Sequence, residues 1–227
     1  MPTILLARHA QASFGAENYD VLSPIGATQA EALAQDLALR RISLDRVVCG
    51  TLIRQRDTAA AVARGAHCDL TVDPRWDEYD DGDILTHHST TSARQSRPVG
   101  SEAQVVSSRE FQDLLEKALL SWIAAGSASA TAESWPAFTA RVTGALADVA
   151  AGLPRGGTGF VCTSAGVLAA TCVALLGLPA EALLRFNRVS VNTAVTKVVH
   201  GGLGTTLISF NDHGHLERAD PPLITYR

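Results

Sequence analysis

A chain of 227 residues that is 46% hydrophobic and 19% charged has enough apolar side chain to bury a core, which excludes a disordered or low-complexity segment. The net charge of -4 provides no global basic field, so nucleic acid is not an expected partner and any bound anion must be held by local groups. Four cysteines, Cys49, Cys68, Cys162 and Cys172, form no C-x-x-C pair and have no histidines at zinc spacing, so they read as buried free thiols of a cytoplasmic protein without metal or cofactor.

The first element, Thr3 to Ala7, is short, apolar and partly β-branched, the pattern of a buried strand. It stops at Arg8-His9, which places that pair at the carboxyl end of a strand, where open α/β sheets hold their ligands. From this stretch alone the pair is either a candidate site or simply the first polar residues after a core strand. Arg8 also interrupts the apolar run before the core of a signal peptide could form. A polar loop, Gln11 to Val21, leads to Leu22-Ser23-Pro24-Ile25-Gly26, in which Ser23 caps a helix and Pro24 suits its first turn. Ala30, Leu33, Ala34 and Leu37 then fall on one helical face.

Asp45 to Cys49 reads as a second strand and Thr51 to Arg64 as a second helix stopped by Gly65. Arg54 near the start of that helix reads, taken alone, as a surface arginine. A third strand, Asp69 to Val72, precedes an acidic loop that holds Trp76-Asp77-Glu78-Tyr79-Asp80. Asp81 to Gln104 is rich in Ser, Thr, Gly and charge and reads as a long excursion, with a lid or insertion region over about 81–126 of a single domain spanning 1–227. An apolar stripe from Val105 to Trp122 predicts a helix ending at Gly126, and another helix follows with Ser134 as cap and Pro136 in its first turn.

Gly159 to Leu178 carries no charge and is long enough to span a bilayer, but Thr163-Ser164-Ala165-Gly166 breaks it into strand, turn and helix. Asn192 to His200 and Thr205 to Phe210 read as a hairpin joined by Gly201-Gly202-Leu203-Gly204. This alternation predicts an α/β three-layer sandwich with a mostly parallel central sheet and helices on both faces. No membrane association is expected.

Several of these pieces, in order, resemble the histidine phosphatase superfamily, also called phosphoglycerate mutase-like. The resemblance rests on Leu6-Ala7-Arg8-His9-Ala10, on Leu22-Ser23-Pro24-Ile25-Gly26 with Gln29-Ala30, and on Leu52-Ile53-Arg54 with Thr58-Ala59. It continues through Glu133-Ser134, Phe138 and Arg141-Val142 to Phe160-Val161-Cys162-Thr163-Ser164-Ala165-Gly166-Val167, and so covers nearly the whole chain.

The resemblance implies a metal-independent phosphomonoesterase in which His9 is the nucleophile toward a small phosphorylated substrate and Arg8 and Arg54 clamp the phosphate. Glu78 matches the general acid, with Asp77 or Asp80 as the next choices. The sequence departs from the family pattern at Ser164, where a second histidine is usual; Ser164 and the amide of Ala165 at a helix start remain as phosphate donors. That departure keeps a second reading open, a phosphate-ligand binder without turnover, while mutase activity ranks lower because no substrate-binding insertions of the glycolytic mutases are identifiable. A serine hydrolase using Ser164 ranks lower still, because Cys162-Thr163-Ser164-Ala165-Gly166 lacks the first glycine of G-x-S-x-G and only Asp212 and His215 could complete it. His213 and His215 read mainly as a structural turn, and His87 and His88 as lid residues unsuited to a metal. Substrate and oligomeric state are not legible.

Overall fold

The apolar runs assemble into one mixed sheet whose burial explains their composition. The computed structural model describes residues 1–13, 19–89 and 108–226. The strands are β1 (Thr3–Arg8), β2 (Arg46–Cys49), β3 (Leu70–Val72), β4 (Thr158–Thr163), β5 (Val195–Gly201) and β6 (Gly204–Asp212), in the order β3-β2-β4-β1-β5-β6. β1 pairs in parallel with β4, β4 with β2 and β2 with β3, whereas β5 runs antiparallel to both β1 and β6. One strand therefore opposes five, which is the mostly parallel sheet with a hairpin that the alternation predicts.

The helices among the described residues are α1 (Pro24–Leu39), α2 (Ile53–Ala66), α3 (Asp81–His88), α4 (Ser108–Ala125), α5 (Trp135–Gly152), α6 (Ala165–Leu176), α7 (Leu183–Val189) and α8 (Gly214–Glu217). The chain divides into two compact units, Met1–Glu78 with Val142–Arg227, and Tyr79–Arg141; α5 begins in the second and ends in the first.

In the first unit, Leu5 and Ala7, Val47 and Cys49, and Phe160 and Cys162 share one sheet face, closed over by Leu33 and Leu37 of α1 and Ala59 and Val62 of α2. The alternate residues Ile4, Leu6, Val48 and Val161 are equally buried, and α6 contacts β1. A strand covered on both faces needs a continuous apolar run rather than an alternating one, as Thr3 to Ala7 supplies. α6 is buried on all sides from Ala165 to Val173, which accounts for the uncharged stretch there. No helix among the described residues is long and apolar enough to cross a membrane.

The second unit is built around Tyr79, Trp122, Trp135 and Phe138, whose ring centroids lie 5.6 to 5.9 Å apart. The indole N–H of Trp122 donates to the Glu133 carbonyl at 2.9 Å. Glu133 also receives both Nε and Nη2 of Arg141 at 2.7 Å each, and that guanidinium stacks on Phe138. These motif residues thus hold a buried aromatic cluster together.

Several boundaries differ from the sequence reading. Gly65 does not stop α2, which runs to Ala66 and ends on His67 in the left-handed region at φ 53°. A Cβ on Gly65 would stand 3.4 Å from that of Ala34, an ordinary contact where α2 faces α1. The start of the expected excursion is the helix α3, because Asp80 caps it by accepting the Asp83 amide at 3.0 Å. Residues 90–107, which include Val105 and Val106, lie outside the described residues. Finally, α7 fills a stretch with no assigned element, and β5 starts at Val195 because Thr193 turns the chain at φ 59°.

Candidate active site

The register of β1 on β4 creates the site. Arg8 lies opposite Thr163, and the Thr163 carbonyl accepts the His9 amide at 2.8 Å, so the chain leaves the sheet at His9 beside Ser164, the N-cap of α6. The backbone of this turn is pinned from two sides. The Thr58 hydroxyl accepts the Ala10 amide at 2.9 Å, and the Asn192 carboxamide donates to the His9 carbonyl at 2.9 Å.

His9 is only 5% exposed. Its Nδ1 lies 2.8 Å from the Ala10 carbonyl and its Nε2 lies 3.1 Å from Nε of Arg54. A carbonyl can only accept and an arginine Nε–H can only donate, so Nδ1 carries the proton and Nε2 the lone pair. Burial, followed by the positive charges of Arg8 and Arg54, holds the imidazole pKa well below its ordinary 6.5, against the opposing pull of the Ala10 carbonyl. His9 is therefore neutral near pH 7, with a single tautomer and its lone-pair nitrogen turned toward a guanidinium.

Arg54 is placed by a residue with no earlier role, Asp20. One Asp20 oxygen takes Nη1 of Arg54 at 2.6 Å and the other takes the Ile53 amide at 2.7 Å, so the carboxylate caps the first turn of α2 and fixes the guanidinium together. The Tyr19 ring lies 5.5 Å below the Arg54 charge. Arg8 behaves differently, since its Nη1 donates to the carbonyls of Ser190 and Tyr226 at 2.6 and 2.7 Å. Its influence on His9 is the charge rather than a hydrogen bond.

The three carboxylates considered as acids separate by position. Asp77 bridges the Thr51 amide and hydroxyl at 2.5 and 2.6 Å, and Asp80 caps α3. Glu78 instead reaches the α6 N-terminus, where Oε2 accepts the Gly166 amide at 2.9 Å. The Gly166 amide, next to that of Ala165 at the helix start, thus already faces a carboxylate of this chain. Ala165 is the first residue of α6 and is buried. Ser164, 1% exposed, makes no capping hydrogen bond; its Oγ accepts from the Gln55 carboxamide at 2.9 Å.

The other histidines are engaged elsewhere. His215 Nε2 pairs with Thr193 Oγ1 at 3.0 Å and His213 Nδ1 with the Asn211 carbonyl at 2.6 Å, the structural turn expected. With His215 so held, Ser164 has no histidine base among the described residues and the serine hydrolase reading loses its triad. In the second unit, His88 lies between Ser121 and Ser129, and His87 rests on Asp83. Asp20, Gln55, Thr58 and Asn192 are the site residues to which the sequence reading gave no role, although Thr58 stood among its motif residues.

The fold and site define an α/β protein with a buried, neutral histidine presented to an arginine at the carboxyl end of a central strand of a mostly parallel sheet. The family model described as histidine phosphatase superfamily (branch 1) matches residues 4–213, and the chain belongs to that superfamily. A search of curated protein sequences finds no match. Among solved structures, the chain is similar to a mycobacterial glucosyl-3-phosphoglycerate phosphatase, with TM-score 0.64 and 22% identity over 92% of this chain and 98% of that one. It is also similar to YhfR of Bacillus stearothermophilus, with TM-score 0.68 and 17% identity over 95% and 99% of the two chains. A mutant phosphoserine phosphatase from Entamoeba histolytica, in complex with phosphoserine, gives TM-score 0.63 and 17% identity over 95% and 100%. At these identities the likenesses establish the fold.

Proposed function

We propose that the protein is a metal-independent phosphomonoesterase that acts on a small phosphorylated substrate through a phosphohistidine at Nε2 of His9. The observation that carries this reading is the fixed neutral tautomer, with Nδ1–H tied to Ala10 and the Nε2 lone pair facing Arg54. The phosphatases among the structural relatives support the same class of reaction. Free thiols at Cys49, Cys162 and Cys172, all buried, favour a reducing, cytoplasmic location.

In this reaction the substrate phosphate draws the Arg54 N–H donors onto its oxygens, which uncovers Nε2 for in-line attack. The N–P bond forms as the ester P–O bond breaks, and the departing oxygen takes a proton from Glu78. Water then attacks phosphorus, its proton goes to the Glu78 carboxylate, and the N–P bond returns its electron pair to Nε2. Arg8 and Arg54 stabilise the charge spread over the phosphoryl oxygens. Ser164 and the Ala165 amide complete the cradle.

Hydrolysis of p-nitrophenyl phosphate by the wild type and its loss in His9→Ala test the reading; equal activity in the two would refute it. Ser164, at the position where a second histidine is usual, favours a second reading, phosphate-ester binding without turnover. It predicts calorimetric binding of phosphate esters with no phosphate released across a broad panel.

A further inference from the structure

Gln55 sits on α2 one residue beyond Arg54, yet it is wholly buried. A glutamine carboxamide seldom loses all its water without a reason, because its four hydrogen-bonding positions must then be met by protein. Nε2 lies 3.1 Å from the Trp76 carbonyl and 2.9 Å from Ser164 Oγ. The carbonyl can only accept, so the atom beside it must be the NH2 group, and the carboxamide cannot be turned over without placing two oxygens together. Both N–H bonds are then used, one on Trp76 and one on Ser164.

Two consequences follow from that orientation. The Ser164 oxygen is an acceptor toward Gln55, so its own proton points away from the carboxamide. A hydroxyl that accepts one hydrogen bond also becomes a stronger donor in the next. Oε1 of Gln55, meanwhile, is buried without a hydrogen-bond partner and packs against Gly50, where a Cβ would collide with it and with Asp77 Oδ1. Leaving that oxygen unmet is costly, which marks the carboxamide as held for what its nitrogen does.

We infer that Gln55 is a positioning residue that fixes the Ser164 hydroxyl as a donor to the phosphoryl group on His9, in place of the histidine usual at that strand end. This inference rests on the phosphoryl-transfer reading of the site. Gln55 acts only through Ser164, and so its loss matters only while Ser164 is present.

The test is a double-mutant cycle of Gln55→Met and Ser164→Ala, read both as kcat and KM on p-nitrophenyl phosphate and as the Kd of orthovanadate, a pentavalent phosphorus mimic. Each single substitution should lower kcat about tenfold, the size of one hydrogen bond, with KM nearly unchanged. The double variant should fall no lower than Ser164→Ala alone. Losses that multiply, or a wild-type kcat in Gln55→Met, overturn the inference, because a merely structural glutamine would add its cost in either background. Should Gln55→Met not reproduce the wild-type melting profile, Gln55→Leu repeats the cycle. If the wild type shows no turnover, the phosphatase reading fails separately, and the same non-additivity in orthovanadate Kd decides the role of Gln55; failure of the wild type to bind orthovanadate overturns both.

Discussion

Thr58→Val isolates one hydroxyl that the site depends on. Thr58 is wholly buried; Oγ1 accepts the Ala10 amide at 2.9 Å and donates to the Arg54 carbonyl at 2.7 Å. Valine has nearly the same shape, so the substitution opens no cavity and removes these two hydrogen bonds. They are unequal. The Arg54 carbonyl lies inside α2 and keeps its helical N–H partner, whereas the Ala10 amide is left buried without an acceptor.

An unmet buried donor costs about 1–3 kcal/mol, so a loss of about 2 kcal/mol is expected. For a chain of this size each kcal/mol moves Tm by roughly 2–4 °C, which places the Thr58→Val melting point about 4–8 °C below wild type. Because Ala10 also supplies the carbonyl that fixes the His9 tautomer, kcat should fall with it. Thr58→Ser keeps the hydroxyl and should retain most of the activity, losing only the packing of one methyl. Circular-dichroism melting with p-nitrophenyl phosphate assays on the three proteins provides the measurement. A Thr58→Val protein that melts with the wild type, or a greater activity loss in Thr58→Ser than in Thr58→Val, refutes the reasoning.

Further predictions concern protons and packing. Burial chiefly pushes the His215 pKa down to about 4, although Asp36 and Asp212 oppose it. The unfolded chain takes up this proton near pH 6.5 and the folded one only near pH 4, so the stability present above pH 6.5 declines as pH falls toward 4. The part due to His215 is about 2 kcal/mol between pH 7 and pH 5. Urea titrations should show a shallower pH dependence in His215→Gln, and identical slopes would contradict the assignment. Glu78→Gln should slow hydrolysis of an alkyl phosphate by roughly 10²- to 10⁴-fold, and that of p-nitrophenyl phosphate less, because nitrophenolate leaves without a proton; equal losses on both substrates would argue against an acid role. Ser164→His should overpack against Gln55 and cost roughly 1–3 kcal/mol in denaturant titrations, with Gln55→Ala in the same chain recovering stability. Full stability of Ser164→His alone would show that the site has room for the ring.

Much of the frame was legible because local patterns and global topology agree. Thr3 to Ala7 could be placed as a buried strand from its continuous apolar run, and its position between β4 and β5 explains why it needs one. Thr163-Ser164-Ala165-Gly166 could be placed as the break between strand and helix, and β4 ends at Thr163 with α6 starting at Ala165. Ser23 was read as a cap from its type and from Pro24, and its hydroxyl accepts the Gly26 amide at 3.0 Å. His67 as the end of α2 was less accessible. The left-handed turn there is made by a residue that seldom adopts it, while Gly65, of the type that usually does, stays within the helix.

In the site, what could be read were the side chains that carry charge, and what could not were those that hold them. Asp20 lies in a polar loop where any carboxylate looks solvated; only the fold brings it to the α2 N-terminus and Arg54. Gln55 follows the same logic more sharply. On the sequence it is one polar residue between two arginines of an amphipathic helix, and its environment is set by Trp76 and by Ser164, 109 positions away. Ser164 was noticed as a missing histidine, which framed the position as a loss. The carboxamide beside it changes the question, since a buried glutamine that accepts an unmet oxygen in order to donate to one serine hydroxyl gives that hydroxyl a defined direction. Under the proposed reaction, how well the serine works in the histidine's place depends on Gln55 as much as on Ser164, and neither residue has that property alone.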